Sequence, residues 1–146
     1  MRSQKNVPSR LIADDGVWLA EEHPNLHARL ATRLDAPARA RALVSDWCRA
    51  FELDGSRGDM LRLLVTEIVT NAVVHPWAPR EPVIVLGASF SGENVIVTVT
   101  DTGTGPSPAP RTPQPTSGGY GLFLLERSAI RWGVDEVRGT RVWFEI

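Results

Sequence analysis

"LLVTEIVTNAVVHP", residues 63–76, has the apolar rhythm of a core helix, yet Glu67, Asn71 and His75 stand in it four residues apart. At about 100° per residue the three drift by about 40° a step and stay within one stripe about 80° wide. Met60, Leu64 and Ile68 lie in or beside that stripe, with Leu63 and Val74 on its other flank. Asp59, Arg62, Thr66 and Thr70 gather on the far side, the natural solvent face. The spacing therefore predicts Glu67 and Asn71 turned toward apolar surroundings, where an unpaired carboxylate costs several kcal/mol. Either a buried arginine satisfies it, or the row floors a polar pocket. In the pocket reading Glu67 is a proton acceptor and Asn71 a metal or phosphate ligand. His75, at the helix end before Pro76, suits capping or packing better than chemistry.

Two further stretches carry candidate chemistry. In "VTVTDTGTG" (97–105) the period of two puts Val95, Val97, Val99 and Asp101 on one strand face. Asp101 then ends an apolar row and is sheltered, while Gly103 and Gly105 permit close backbone approach to a ligand. A sheltered carboxylate accepts from an exocyclic amine, which suits adenine and not guanine's carbonyl. Plain turn chemistry for Asp-Thr-Gly stays open beside that reading. In "SGGYGLFLL" (117–125) Gly118, Gly119 and Gly121 open a helix, whose free N–H groups and dipole favour phosphate. The stretch follows no strand, as a dinucleotide-binding loop would, and has no P-loop lysine.

The chain has 146 residues, which suits one domain with a single core. Sixteen basic and 17 acidic residues give a net charge of -1, so bulk charge makes no case for nucleic acid or an anionic membrane as partner. One cysteine, Cys48, excludes an intrachain disulfide framework. No apolar run nears the ~20 residues of a membrane span. The polar start "MRSQKNVPSR" lacks a signal-peptide core, and a cytoplasmic location is expected. Residues 1–26 are expected to be a tail or extension, with a short strand in "GVWLAEE"; "HARLATRL" (27–34) is expected to be an edge strand. A helix follows with Asp35 as N-cap and Pro37 in its first turn, and the helix of the opening stretch follows from about Asp59. After "HPWAPREP", whose prolines argue against regular structure, come strands "VIVLGASF" and "NVIVTVTD", a long loop, a helix from "YGLFLLERSAI" and two closing strands. The loop holds five of the chain's 11 prolines. The expected fold class is an α+β two-layer sandwich, with a mixed, mainly antiparallel sheet covered on one face by helices.

The order E-x-x-x-N-A-x-x-H, D-x-G-x-G after a strand, G-x-G-L after a loop, and G-T before a last strand resembles the GHKL (Bergerat-fold) ATP-binding domain. That superfamily covers gyrase, Hsp90, histidine kinases and MutL. Within it, "TEIVTNAVVH" and the final "VWFEI" look most like the anti-sigma factor serine/threonine kinases and the similar stand-alone ATP-binding regulators of actinobacteria. The resemblance runs over residues 27–146. It implies ATP and Mg²⁺ as cofactors, Glu67 as general base, and Asn71 as the ligand that holds the metal. It implies Asp101 at the adenine amine, with Gly103 and Gly105 beneath the base. Gly119, Gly121 and Leu122 would stand at the phosphate-holding helix start, Thr140 at the adenine end, and residues 104–118 would be an ATP lid. Implied partners are a sigma factor and an anti-anti-sigma protein that is phosphorylated, with a homodimer expected. The departures are Pro76 after His75 and a proline-rich lid whose one basic residue is Arg111. A regulator that uses ATP to gate partner exchange without transfer is the alternative function.

Overall fold

The computed structural model describes residues 18–19, 26–53, 55–76, 80–104, 121–136 and 139–146. Along the chain come β1 (Trp18–Leu19), β2 (Leu26–Ala31), α1 (Ala36–Ala50), α2 (Ser56–Val74), β3 (Arg80–Ser91), β4 (Asn94–Thr104), α3 (Gly121–Ser128), β5 (Arg131–Glu136) and β6 (Thr140–Glu145). β-Branched residues build the two longest strands, and Gly92 at φ 62° turns the two-residue loop between them. Alternation then sorts their side chains. Ile84, Leu86 and Ala88 of β3 and Val95, Val97 and Val99 of β4 are buried, as are Leu26, Ala28 and Leu30 of β2. The strand order is β1-β2-β3-β4-β6-β5. The two-layer α+β architecture stands as expected, and every strand pairing among the described residues is antiparallel. β2 lies one place in from the edge, because the short β1 pairs outside it.

The helices show where local signals ended and packing took over. Pro37 occupies the first turn of α1 and Asp35 the N-cap position, but Asp35 makes no side-chain cap; it stands 3.7 Å from Arg33 Nε. α2 begins three residues before Asp59, since Gly55 at φ 76° turns the chain into it. The expected solvent face of α2 needs correction. Arg62, Thr66 and Thr70 are half-buried, and Arg62 Nε donates to Ser45 Oγ of α1 at 3.0 Å. The threonine hydroxyls donate to carbonyls one turn back, at 2.6 and 2.7 Å, which satisfies them within the helix. Leu63 and Val74 are instead exposed.

Two strand ends also run further than expected. β3 takes in Arg80, Glu81 and Pro82, with a bulge between Arg80 and Val83 where Glu81 adopts φ 45°. A bulge tolerates a residue with no N–H to give to the ladder. β4 continues past Asp101 through Gly103 to Thr104.

One arginine orients the layers. Arg57, in the first turn of α2, donates to the Glu93 carbonyl and, at 3.0 Å, to the Ile146 carbonyl. It thereby ties the start of α2 to the start of β4 and the end of β6. From that anchor α2 rises about 21 Å to Asn71, and β4 runs about 20 Å from Val95 to Asp101. Asn71 and Asp101 thus each lie well away from that anchor. The anchored end is closed by Trp47, Phe51 and Phe90, whose ring centroids lie 5.2 to 5.5 Å apart. There Glu145 accepts from Asn94 Nδ2 at 2.9 Å and from the Arg131 guanidinium, with Arg131 Nε at 2.7 Å. The hydrogen bond from Asn94, then that from Arg131, holds the Glu145 carboxyl below its ordinary value.

Candidate nucleotide site

At the other end, Glu67 and Asn71 stand on the shoulder of α2, half-buried between buried Leu64 and Ile68 and exposed Leu63 and Val74. The expectation that they point into the core is corrected: they form its rim. The first residue of α3 meets them there. A Cβ at Gly121 would lie 3.5 Å from Glu67 Cβ, 3.7 Å from Asn71 Nδ2 and 3.9 Å from Ile68 Cγ1. These are ordinary contact distances, so the start of α3 lies directly against the polar pair. Its first turn carries no acidic residue, and its N–H groups and dipole favour an anion. Leu125 is fully buried and half-buried Leu122 packs on the core, which holds α3 in that position.

Asp101 ends the inward row of β4 and is 6% exposed. In the ladder it stands opposite Ile84 of β3 and, on its other side, opposite Thr140 of β6. Cross-strand partners share a sheet face, so Ile84, Asp101 and Thr140 form one row on the helix-covered side. Asp101 Oδ1 is buried and accepts no hydrogen bond among the described residues, while other contacts hold the residue in place. Just before Thr140, Gly139 takes φ 146°, and its backbone presses on that of Asp101.

Two clusters of sequence-chosen residues thus assemble: Glu67, Asn71, Gly121 and Leu122 where α3 meets α2, and Asp101, Gly103 and Thr140 at the strand ends. Gly105, Gly119, Arg111 and residues 105–118 of the expected lid lie outside the described residues. His75 ends α2, its backbone N–H donating to the Asn71 carbonyl at 2.9 Å. Ile84 was not singled out from the sequence, whereas Gly139 stood there as the glycine of the G-T motif before the last strand. Ile84 is one of a run of similar apolar residues, and only the strand register distinguishes it.

Among the described residues no group of three or more His, Cys, Asp or Glu could hold a metal ion. Glu67 and Asn71 supply hard oxygen donors, which fit Mg²⁺, an ion usually bound through few protein ligands plus phosphates and water.

Comparison with known proteins identifies the fold. The family model for the histidine kinase-like ATPase domain matches residues 30–146, and the chain belongs to that family. Membership implies an ATP-binding domain. Among solved structures, the crystal structure of the RsbU and RsbW domains of Rv1364c from Mycobacterium tuberculosis is similar, with a TM-score of 0.65 and 25% identity. The match covers 84% of this chain and 32% of that one, so the chain spans about a third of that neighbour's length. No curated protein gives a significant match in sequence.

Proposed function

We propose that the protein is an anti-sigma-type serine/threonine kinase that uses ATP and Mg²⁺ to phosphorylate an anti-anti-sigma (STAS-like) protein, and so switches a sigma factor between partners. The reading is supported most by one observation: the start of α3 lies against Glu67 and Asn71, within the stretch that the family model matches. The similarity to a chain that includes an RsbW domain supports the regulatory class. In this reading the protein works in the cytoplasm, as a homodimer, without binding nucleic acid or membrane. No helix among the described residues is long and apolar enough to cross a membrane.

Bound ATP would supply the γ-phosphoryl group, and Mg²⁺ the neutralisation of its charge. Asn71 would hold the metal, while Gly119, Gly121 and the N–H groups opening α3 would orient the phosphates. Glu67, on the same face of α2 as Asn71 and one turn from it, would accept the proton of the incoming serine or threonine hydroxyl. Asp101 would accept from the adenine amine, with Thr140 beside it and Gly103 and Gly105 beneath the base. Residues 104–118 would close over the nucleotide, and residues 1–26 would stand outside the ATP-binding domain.

The test is transfer of label from γ-labelled ATP to STAS-fold proteins, for the wild type and for Glu67→Ala. A kinase loses about 10²- to 10⁴-fold in transfer rate when its general base is removed, with ATP affinity kept. A regulator that only gates partner exchange transfers no label in either form and exchanges partners equally well in both.

A further inference from the structure

β5 stands last in the strand order, and its outer edge pairs with no strand among the described residues. Hydrogen-bond alternation decides which of its groups face outward. Val95 and Ile146 exchange both backbone bonds, at 2.7 and 2.9 Å. The even-numbered residues of β6 therefore turn their N–H and C=O groups to β4, and the odd-numbered ones to β5. Register then commits the groups of Arg131, Gly133 and Asp135 to β6. Those of Trp132, Val134 and Glu136 are left on the outer edge, a template for another strand. The side chains sort by face. Trp132 and Val134 are half-buried on the helix-covered side, opposite Phe144 and Val142. Arg131, Gly133 and Asp135 share the open side, where Arg131 donates to Glu145 and Arg141 donates to Asp135 Oδ2 at 2.7 Å. Both pairs lean inward to β6 and leave the edge uncovered. A Cβ at Gly133 would lie 2.8 Å from Trp143 Nε1, so the indole lies across this glycine.

We propose that β5 joins the β5 of a second copy of this chain, edge to edge and antiparallel, about a two-fold axis at Gly133, so that one sheet runs through both copies. Charges on an edge strand usually repel a second strand, but this two-fold makes them complementary. Opposed residues share a face, which sets Arg131 opposite the partner's Asp135 and Trp132 opposite the partner's Val134. Along the open side the charges then alternate across the junction: Glu145, Arg131, the partner's Asp135, the partner's Arg141. On the helix-covered side an indole meets a valine, and both residues of that pair carry outward backbone groups, so they exchange both bonds. A shift of two residues sets Trp132 against the partner's Glu136 or against its own counterpart, and loses the charge pair. Glycine meets glycine at the axis, with no bulk between the copies. An isologous junction of this kind closes as a dimer. It names the surface of the homodimer in the proposed function and rests on that part of the reading, with no need of bound nucleotide.

Sedimentation equilibrium of the full chain is expected to show a dimer for the wild type. Val134→Pro removes an outward N–H and spares the β6 ladder, a place where an edge strand accepts proline. A thermal melt checks its fold, and association is expected to weaken about 30-fold or more, the scale of the symmetric backbone bonds lost. Oxidative cross-linking reads the register. An opposed hydrogen-bonded pair holds its Cα atoms about 5.5 Å apart, within reach of a disulfide, and the native Cys48 is buried. Trp132→Cys mixed with Val134→Cys is expected to link into a dimer, and Val134→Cys alone to stay unlinked. A monomeric wild type contradicts both this proposal and the homodimer of the proposed function. A dimer that Val134→Pro leaves at full strength, no link in the mixture, or a link in Val134→Cys alone keeps the homodimer and overturns this junction. Should Val134→Pro fail to fold, Asp135→Arg, which sets like charges opposite the partner's Arg131, takes its place. About tenfold weaker association is then expected, and unchanged association overturns the proposal.

Discussion

Among the described residues two acidic side chains are buried, Asp101 at 6% and Glu145 at 4% exposure, and they stand at opposite ends of the β4–β6 ladder. Glu145 is saturated by protein, with an amide from β4 and a guanidinium from β5 on its carboxylate. Asp101 has Ile84 and Thr140 as its ladder neighbours, and its Oδ1 accepts no hydrogen bond from the described residues. Burying a carboxylate is costly unless its oxygens are met. At the Glu145 end the fold itself meets them, adding Arg57 on two carbonyls and a trio of packed rings. At the Asp101 end the backbone of Gly139 approaches closely, and away from the Arg57 anchor the start of α3 meets half-buried Glu67 and Asn71. One end is finished as structure, and the other carries the groups on which the proposed nucleotide site rests.

Four substitutions would sharpen or break that contrast, and the first three are ordered by their expected effect on stability. Phe144 is fully buried in the ladder between the two ends. Phe144→Ala is expected to cost about 3–5 kcal/mol in chemical denaturation, which no division into ends would soften. Arg57→Ala removes the anchor of α2 at the closed end, and a loss of about 1–2 kcal/mol is expected. ATP affinity should stay within about twofold of wild type, because the ends are about 20 Å apart. A large loss of ATP affinity would show that the closed end also governs the site.

The smallest effect belongs to Glu145, and it depends on pH. The folded-state pKa is lowered from 4.5 by Asn94 and Arg131. The unfolded chain therefore binds the proton more readily, and the contribution of this group is present above its unfolded pKa and is lost as pH falls through the folded value. Glu145→Gln should make the acid limb of a stability–pH profile below about pH 4.5 shallower. An unchanged acid limb would show that the contacts to Asn94 and Arg131 contribute nothing to pH dependence.

The same contrast explains what the sequence could reveal. Glu67 and Asn71 were visible because a carboxylate and an amide break an apolar helical period, and Asp101 because it ends an alternating strand. Both signals are local. How deep the α2 row lies was misjudged, because the placing of α1 and the sheet around α2 decides which of its faces is covered, and the periodicity of one helix does not hold that information. It made Leu63 and Val74 part of the buried face, whereas both are exposed. The start of α2 depends on a positive φ at Gly55, and the course of β3 through Pro82 on a bulge. The closed end stayed invisible for a related reason. Asn94 and Arg131 lie 51 and 14 residues before Glu145, and nothing in a lone glutamate near a strand end announces them. The Asp101–Thr140 pairing is likewise a fact of register and not of either residue.

The central claim is that the Asp101 end receives a nucleotide base while the Glu145 end is only structural. Calorimetric titration with Mg·ATP and Mg·GTP, run on the wild type, Asp101→Asn and Glu145→Gln, tests it most directly. Selective binding of ATP is predicted for the wild type. A loss of about 100-fold is predicted for Asp101→Asn, the scale of a hydrogen bond to a charged group, with little change for Glu145→Gln. Equal affinity for ATP and GTP, or equal losses in the two variants, would contradict the account.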